Sequence, residues 1–346
     1  LHWMKVSRKL LNFLRRTTPM SECKTAFITG INGQDGSYLT ELLLSKGYHV
    51  VGLVRRLSVP ESQTSRLEEA GVYNNPDVAL EYGDLTDQAS LVRILNKYKP
   101  QEIYNLAAQS HVRVSFDAPQ FTTNTIAMGT LNLIEAIKEV CPQAKMYQAG
   151  SSEMFGNSID KDGFQRETTA MIPVSPYGCA KVFAHNICRN YREAYKLFIC
   201  NGILFNHESP RRGGNFVTNK IVKGAIKIMR GETQTLSLGN LQATRDWGHS
   251  KDYVKAMWMM LQQDRPQDFV CATGVSHTVE DVVNFVFKKL DLCPDQHITI
   301  DPKYFRPEEL NDLKGDSAKL RKTLGWEPEY TFESLLEEMI EHGLHK

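Results

Sequence analysis

The sequence predicts a doubly wound, parallel α/β sheet followed by a smaller C-terminal lobe. Three observations carry that reading. The stretch TGINGQDGSYL (29–39) puts three glycines between a β-rich run and an apolar helical pattern. Strand-like and helix-like segments then alternate as far as residue 205, the rhythm of parallel strands joined by crossover helices. Beyond residue 206 the alternation loosens into shorter elements. This is the pattern of a Rossmann sheet with a lobe closing over its edge.

Each element follows from its residues. TAFITG (25–30) is a short β-rich run that ends at Gly30. Tyr38, Leu39, Leu42, Leu43 and Leu44 give the next segment an apolar helical face, and Gly47 closes it. YHVVGLVRR (48–56) then reads as a second strand, completing a βαβ unit. VALEYGDL (78–85) is strand-like, QASLVRILNKY (88–98) helical and EIYNLAA (102–108) a strand. TNTIAMGTLNLIEAIKEV (123–140) is one long helix, KMYQAGSS (145–152) a strand, YGCAKVFAHNICRNYREAY (177–195) a helix and FICNGILF (198–205) a strand. ESPRRGGNF (208–216) is a loop and VTNKIVKGAIKIMRG (217–231) a basic helix. Residues 20–205 are thus expected to be mainly the nucleotide-binding domain, and 206–346 mainly the substrate-binding lobe.

Composition narrows the function classes. The chain has 346 residues, 41% of them hydrophobic, and a formal charge of +1. That is enough for a large core, and it gives no overall field to draw nucleic acid. Seven cysteines with no CxxC pair point to reduced thiols and a cytoplasmic setting. No apolar run reaches the roughly 20 residues that span a bilayer. Residues 1–19 carry five Lys/Arg and no acid. They read as a basic amphipathic or transit segment, or, the favoured reading, as an extension outside the fold.

A glycine turn between strand and helix lets backbone N–H groups approach a phosphate, and the helix N-terminus adds positive potential. Gly30, Gly33 and Gly36, with Asn32, Gln34 and Asp35 between them, therefore read as a pyrophosphate cradle. A ligand-free helix-packing cluster is the competing reading. An NAD site places an acid at the end of the second strand. Here that place holds Arg55 and Arg56, then Ser58, which suits the 2′-phosphate of NADP; a solvated basic strand end is the alternative. Asp84 and Leu85 would frame the adenine. Leu106, Ala107, Ala108, Gln109 and Ser110 would run toward the nicotinamide. No metal ligand set is assigned.

Tyr177 and Lys181 lie four apart, hence on one helix face. A nearby ammonium is expected to lower the tyrosine from its ordinary value of about 10 toward neutrality, making a general base for an alcohol. A surface Tyr–Lys pair is the bland reading. Upstream, Ser151 is placed to complete a Ser–Tyr–Lys triad. Glu153 has no role in simple hydride transfer, but suits removal of a carbon-bound proton acidified by an adjacent ketone.

Taken together, TGINGQDGSYL, RRLS, NLAAQSHV (105–112), SSE, SPYGCAK (175–181), NGILFNHESPRRG (201–213), RDWGHSKDYV (245–254) and FRP (305–307) resemble the GDP-mannose 4,6-dehydratase family of extended short-chain dehydrogenases/reductases. The resemblance runs from about Lys24 to the C-terminus. It implies a tightly held NADP and loss of water from GDP-mannose, a first step toward GDP-fucose and other GDP-6-deoxyhexoses. In that reaction hydride goes from C4 to the cofactor and back to C6. It further implies that Lys181 also holds the nicotinamide ribose, that His207 and Arg212 contact NADP, and that Asn206, Lys220, Arg245, Arg306 and Glu309 meet the GDP-sugar. A homodimer or homotetramer is implied as well. Reduction of the keto product to GDP-rhamnose, or a catalytically silent NADP-binding regulator, are the alternatives. The chain departs from the family in having Ser151 for a threonine and Asn219 for an arginine. The first removes the methyl that fixes the hydroxyl rotamer; the second puts substrate affinity in doubt.

Overall fold

The computed structural model describes residues 23–56, 64–305, 307–310 and 312–346. Residues 1–19, Ser58 and Arg306 lie outside the described residues. The strands are β1 (Thr25–Thr29), β2 (His49–Val54), β3 (Val78–Tyr82), β4 (Glu102–Asn105), β5 (Lys145–Ala149), β6 (Ile199–Leu204), β7 (Asn206–Glu208), β8 (Leu236–Leu238), β9 (Thr244–His249), β10 (Phe269–Cys271), β11 (Ser276–Thr278) and β12 (Ile298–Ile300). The helices that frame the site and its cores are α1 (Gln34–Ser45), α2 (Ser65–Glu69), α3 (Gln88–Tyr98), α4 (Gly129–Val140), α5 (Pro176–Ala194), α6 (Val217–Met229), α7 (Ser250–Leu261), α8 (Val279–Lys289) and α9 (Phe332–Leu344).

Seven parallel strands form the main sheet in the order β10-β6-β5-β4-β1-β2-β3. Consecutive residues on one strand point to opposite faces, so a sheet covered on both sides needs unbroken apolar runs. Phe27 and Ile28 of β1, and Val50 and Val51 of β2, are buried accordingly. Tyr38, Leu39 and Leu43 of α1 join Tyr253, Met257 and Met260 of α7 over one face. Leu91, Ile94 and Leu95 of α3 join Leu133, Ile134 and Ile137 of α4 over the other. The edge strand β10 comes from beyond residue 206 and pairs with β6, Phe269 opposite Gly202. A further core gathers Ile221, Val222 and Ile226 of α6, Val282, Val283 and Phe287 of α8, and Leu335, Leu336 and Met339 of α9.

Two local departures from the sequence pattern shape the site. The expected strands 102–108 and 145–152 stop at Asn105 and Ala149. The Leu106 N–H is shared between the Thr29 carbonyl at 3.3 Å and the Thr29 hydroxyl at 3.1 Å, and the Ala107 N–H donates to that hydroxyl at 3.1 Å, so the chain leaves the ladder there. The helix expected over 123–140 is interrupted by a π-helical turn, Asn124–Met128, before α4. Such wide turns recur at functional sites, and this one puts Thr125 on a cleft wall.

Candidate active site

Strand order reverses between β1 and β4, and the carboxyl ends of the strands there open onto a cleft of about 1330 Å³. Crevices at such switch points are where open α/β sheets bind ligands. The glycine turn forms its floor. The Gly33 N–H donates to Gly30 O at 2.9 Å. Gly30 has φ +72°, and a Cβ there would lie 2.9 Å from the Ala107 nitrogen. A Cβ on Gly36 would sit 2.3 Å from Gly30 O, so both positions require glycine. No side chain caps α1, and its first residues line the cleft. Uncapped N–H groups at a helix start suit a phosphate, so the turn fits a nucleotide pyrophosphate.

Gln34 and Asp35 have a task the sequence did not disclose. They tie the turn to the strand across the cleft. Gln34 Nε2 donates to His207 O at 3.1 Å, and the Ser209 hydroxyl donates to Gln34 Oε1 at 2.7 Å. The His207 ring stands between Asp35 Oδ2 and Phe205 O, 2.8 Å from each, and stacks on Tyr253. Burial opposes both charges, but their mutual attraction wins: His207 lies above its ordinary pKa and Asp35 below.

The catalytic candidates meet at the carboxyl end of β5. The Ser151 Oγ accepts the Glu153 N–H at 3.2 Å and so caps the one-turn helix Ser152–Met154 that carries Glu153. Ser175 caps α5, with Pro176 at its first position, a start that suits both residue types. Tyr177 and Lys181 then project from successive turns of α5 into the cleft. The Lys181 ammonium donates to Ala149 O at 2.7 Å and stands 5.7 Å from the Tyr177 ring centre. The expected lowering of Tyr177 is not what this environment produces. Burial pushes the phenol up to about 12, against the pull of a hydrogen bond from Ser151. Burial also pushes Lys181 down to about 8, and its hydrogen bond goes to a backbone carbonyl rather than to the phenol.

On the far wall, Arg245 of β9 donates to Thr244 O at 2.7 Å, to Leu310 O at 3.1 Å and to Glu309 at 3.2 Å. Lys220 of α6 donates to Ser237 O at 2.6 Å and lies 3.4 Å above the Tyr304 ring. Arg212 pairs with Glu208 at 3.1 Å and covers Phe216. Asn219 turns away from this wall. It is buried, and its amide donates to Arg212 O. The missing charge there falls on the support of the Arg212 loop, at a residue that does not line the cleft.

Every described residue singled out from the sequence as a site residue lines this one cleft, except Arg56. The cleft also presents Arg66, Phe216, Trp247 and Tyr304, which sequence reasoning missed. Tyr304 adjoins the FRP stretch, which is the one signal that pointed near it; Arg66 follows the second strand with no motif around it.

The profile of the family described as GDP-mannose 4,6 dehydratase matches residues 27–339. The GDP-mannose 4,6 dehydratase of Homo sapiens is 48% identical over 340 residues, covering 91% of this chain and 90% of that protein. GDP-mannose 4,6 dehydratase 1 of Arabidopsis thaliana is 51% identical over 329 residues, covering 93% and 90%. Among solved structures, the dTDP-glucose 4,6-dehydratase of Bacillus anthracis in complex with NAD superposes with a TM-score of 0.80 at 22% identity, over 92% of this chain and 96% of that one. RMD of Pseudomonas aeruginosa complexed with NADPH superposes with a TM-score of 0.76 at 20% identity, over 93% and 100%. The two structures share the fold; the sequence relatives carry the family, and the chain belongs to the GDP-mannose 4,6-dehydratase family.

Proposed function

We propose that this chain dehydrates GDP-mannose to GDP-4-keto-6-deoxymannose, with NADP as its resident cofactor. The observation that carries the reading is Glu153. It is buried on a one-turn helix beside Ser151, in the same cleft as Tyr177 and Lys181. Oxidising an alcohol needs one base; eliminating water afterwards needs a second acid–base group. The bound nicotinamide supplies the hydride acceptor for C4, the hydride later returned to C6, and a positive charge that favours the phenolate. Tyr177 takes the 4-hydroxyl proton while Ser151 orients O4. The resulting ketone acidifies the C5 proton, which Glu153 removes. Glu153 then protonates the departing C6 hydroxyl, which leaves as water. The proton that Tyr177 took from the 4-hydroxyl goes to C5 as hydride is returned at C6, which resets the phenolate, so no external oxidant, reductant or proton is consumed.

Gly30, Asn32, Gly33 and Gly36 hold the pyrophosphate in this scheme. Arg55, Arg56 and Ser58 take the 2′-phosphate, and Asp84 and Leu85 the adenine. Leu106 to Ser110, Lys181, His207 and Arg212 hold the remainder of the cofactor. Asn206, Lys220, Arg245, Arg306 and Glu309 bind the GDP-sugar. Exposed Phe121, Met128 and Phe183, on segments packed together, support a homo-oligomer. Seven unpaired thiols support a cytoplasmic setting, and no helix among the described residues is long and apolar enough to cross a membrane.

The test is incubation with GDP-mannose, with and without NADPH, read by mass spectrometry. Loss of one water without added reductant is expected. No loss of water from GDP-mannose by protein carrying bound NADP overturns the reading.

A further inference from the structure

Five arginines line the cleft among the described residues: Arg55, Arg66, Arg113, Arg212 and Arg245. Three are neutralised within the protein. Arg113 pairs with Asp117, Arg212 with Glu208 and Arg245 with Glu309. Arg55 and Arg66 have no carboxylate within ion-pair distance among the described residues, and both stand on the side of the cleft where β2 ends.

Arg55 is the exposed residue directly after β2. Arg66 is different in kind. It is half-buried on α2, and its Nε donates to Arg211 O at 2.8 Å while Nη1 donates to Asn32 O at 3.3 Å. It therefore bridges the glycine turn and the loop that carries Arg212. The helix beneath it is anchored: Glu69 of α2 accepts from Lys346 at 3.2 Å and lies 3.0 Å from the His342 ring. Partial burial destabilises a cation, and Arg66 sits below its ordinary pKa through burial; the attraction of Glu69, which makes no ion pair with it, offsets this only in part, and Arg212 adds repulsion. A protein that holds a guanidinium in this way at a ligand cleft has arranged it for an anion from outside.

We infer that Arg66 reads the cofactor's 2′-phosphate together with Arg55, and is a specificity-determining residue for NADP over NAD. The inference rests on the NADP reading above. Among the described residues, two of the five guanidinium N–H groups go to carbonyls, leaving donors for a phosphate. Asn32 O, which Arg66 touches, belongs to the turn beside the end of β2, where dinucleotide folds place the ribose 2′ position. The contacts to Asn32 and Arg211 fix the fork, so the charge is positioned before the ligand arrives.

The test compares adenosine 2′,5′-bisphosphate with adenosine 5′-monophosphate, which differ by that one phosphate, on protein stripped of its nucleotide. Arg66→Gln is expected to weaken the bisphosphate by roughly ten- to hundredfold and the monophosphate by less than about threefold. Arg66→Lys keeps the charge, and is expected to recover part of the preference. A wild-type preference that survives Arg66→Gln overturns the Arg66 assignment alone. So does an equal loss for both ligands, which would leave Arg66 as a strut between turn and loop. Wild-type protein that binds the two nucleotides equally overturns the NADP reading itself, and Arg66's role with it.

Discussion

The two ends of the cleft handle positive charge in opposite ways. At the end of β2, Arg55 and Arg66 have no acidic partner among the described residues. Across the cleft, Arg245 already donates to two carbonyls and to Glu309, and Lys220 donates to Ser237 O above Tyr304. One end is set for an anion at the cost of local repulsion. The other is a closed network whose cations also hold the wall together. Between them sit Ser151, Glu153, Tyr177 and Lys181, and for Tyr177 and Lys181 burial is the largest influence on protonation. The difference lies in what already occupies the cations: at one end no carboxylate among the described residues pairs with them, at the other carbonyls and Glu309 do.

The largest effects belong to the middle. Tyr177→Phe is expected to lower turnover by roughly 10²- to 10⁴-fold, the usual worth of a general acid–base group, while cofactor affinity holds. Glu153→Gln is expected to lower water loss comparably but to spare oxidation at C4, so reduced nicotinamide accumulates on the protein after GDP-mannose is added. Its absorbance in a single-turnover experiment is the readout. Full dehydration by Glu153→Gln would remove that residue from the mechanism.

The contrast between the ends is broken most directly by deleting one cation from each. Arg245→Ala leaves Glu309 and two carbonyls with lost donors in a buried setting, and is expected to cost about 2–4 kcal/mol of stability as well as substrate affinity. Arg55→Ala removes an exposed cation with no acidic partner among the described residues, and is expected to stay within about 0.5 kcal/mol while weakening the cofactor. Urea denaturation of both variants decides it. Equal losses would mean that ion pairing does not distinguish binding charges from architectural ones.

The two ends also differ in how far the sequence disclosed them. The β1–α1 turn was legible because its glycines, apolar strand and helix are contiguous, and each obeys a local steric rule. Tyr177 and Lys181 share a helix face, so spacing alone brought them together. Glu153 was suspicious as a carboxylate without a task. The far wall is assembled from β7, α6, β9 and the segment around Glu309, which no local period connects; only resemblance named its residues. The direction of the Tyr177 shift was misread because spacing reports proximity along a helix, whereas burial depends on the whole fold. Arg66 escaped because its meaning lies in the carbonyls of Asn32 and Arg211, which are distant in the chain.

Lys181 supplies a pH test of the middle region. Burial lowers it from 10.5 to about 8. Between those values the unfolded chain binds more protons than the folded one, so this group makes stability rise with pH through that window, and its cost is full below about pH 8. Lys181→Met is therefore expected to be more stable than wild type at pH 7 by about 1–3 kcal/mol, after allowing for the lost bond to Ala149. The gap should close as pH rises toward 10.5. Thermal unfolding over pH 7–10 measures it, and a gap that does not change with pH would show that Lys181 is not strained by its burial. Wild-type kcat/KM is expected to fall above about pH 8, as the ammonium is lost.

The smallest effect concerns Ser151. A threonine here would add a methyl that restricts the hydroxyl rotamer. In this chain the hydroxyl is already engaged: the Oγ accepts the Glu153 N–H at 3.2 Å, and Ser151 acts on the Tyr177 phenol beside it. That hydrogen bond, worth about 1 kcal/mol, is comparable to what the methyl would contribute in side-chain entropy. Ser151→Thr is therefore expected to leave kcat within about threefold of wild type, less than about 0.7 kcal/mol of barrier, and Ser151→Ala to lower it well beyond that. A rise of tenfold or more in Ser151→Thr would mean that the hydroxyl samples unproductive rotamers in the native chain. The rotameric freedom of one serine would then limit turnover more than the charges at either end of the cleft.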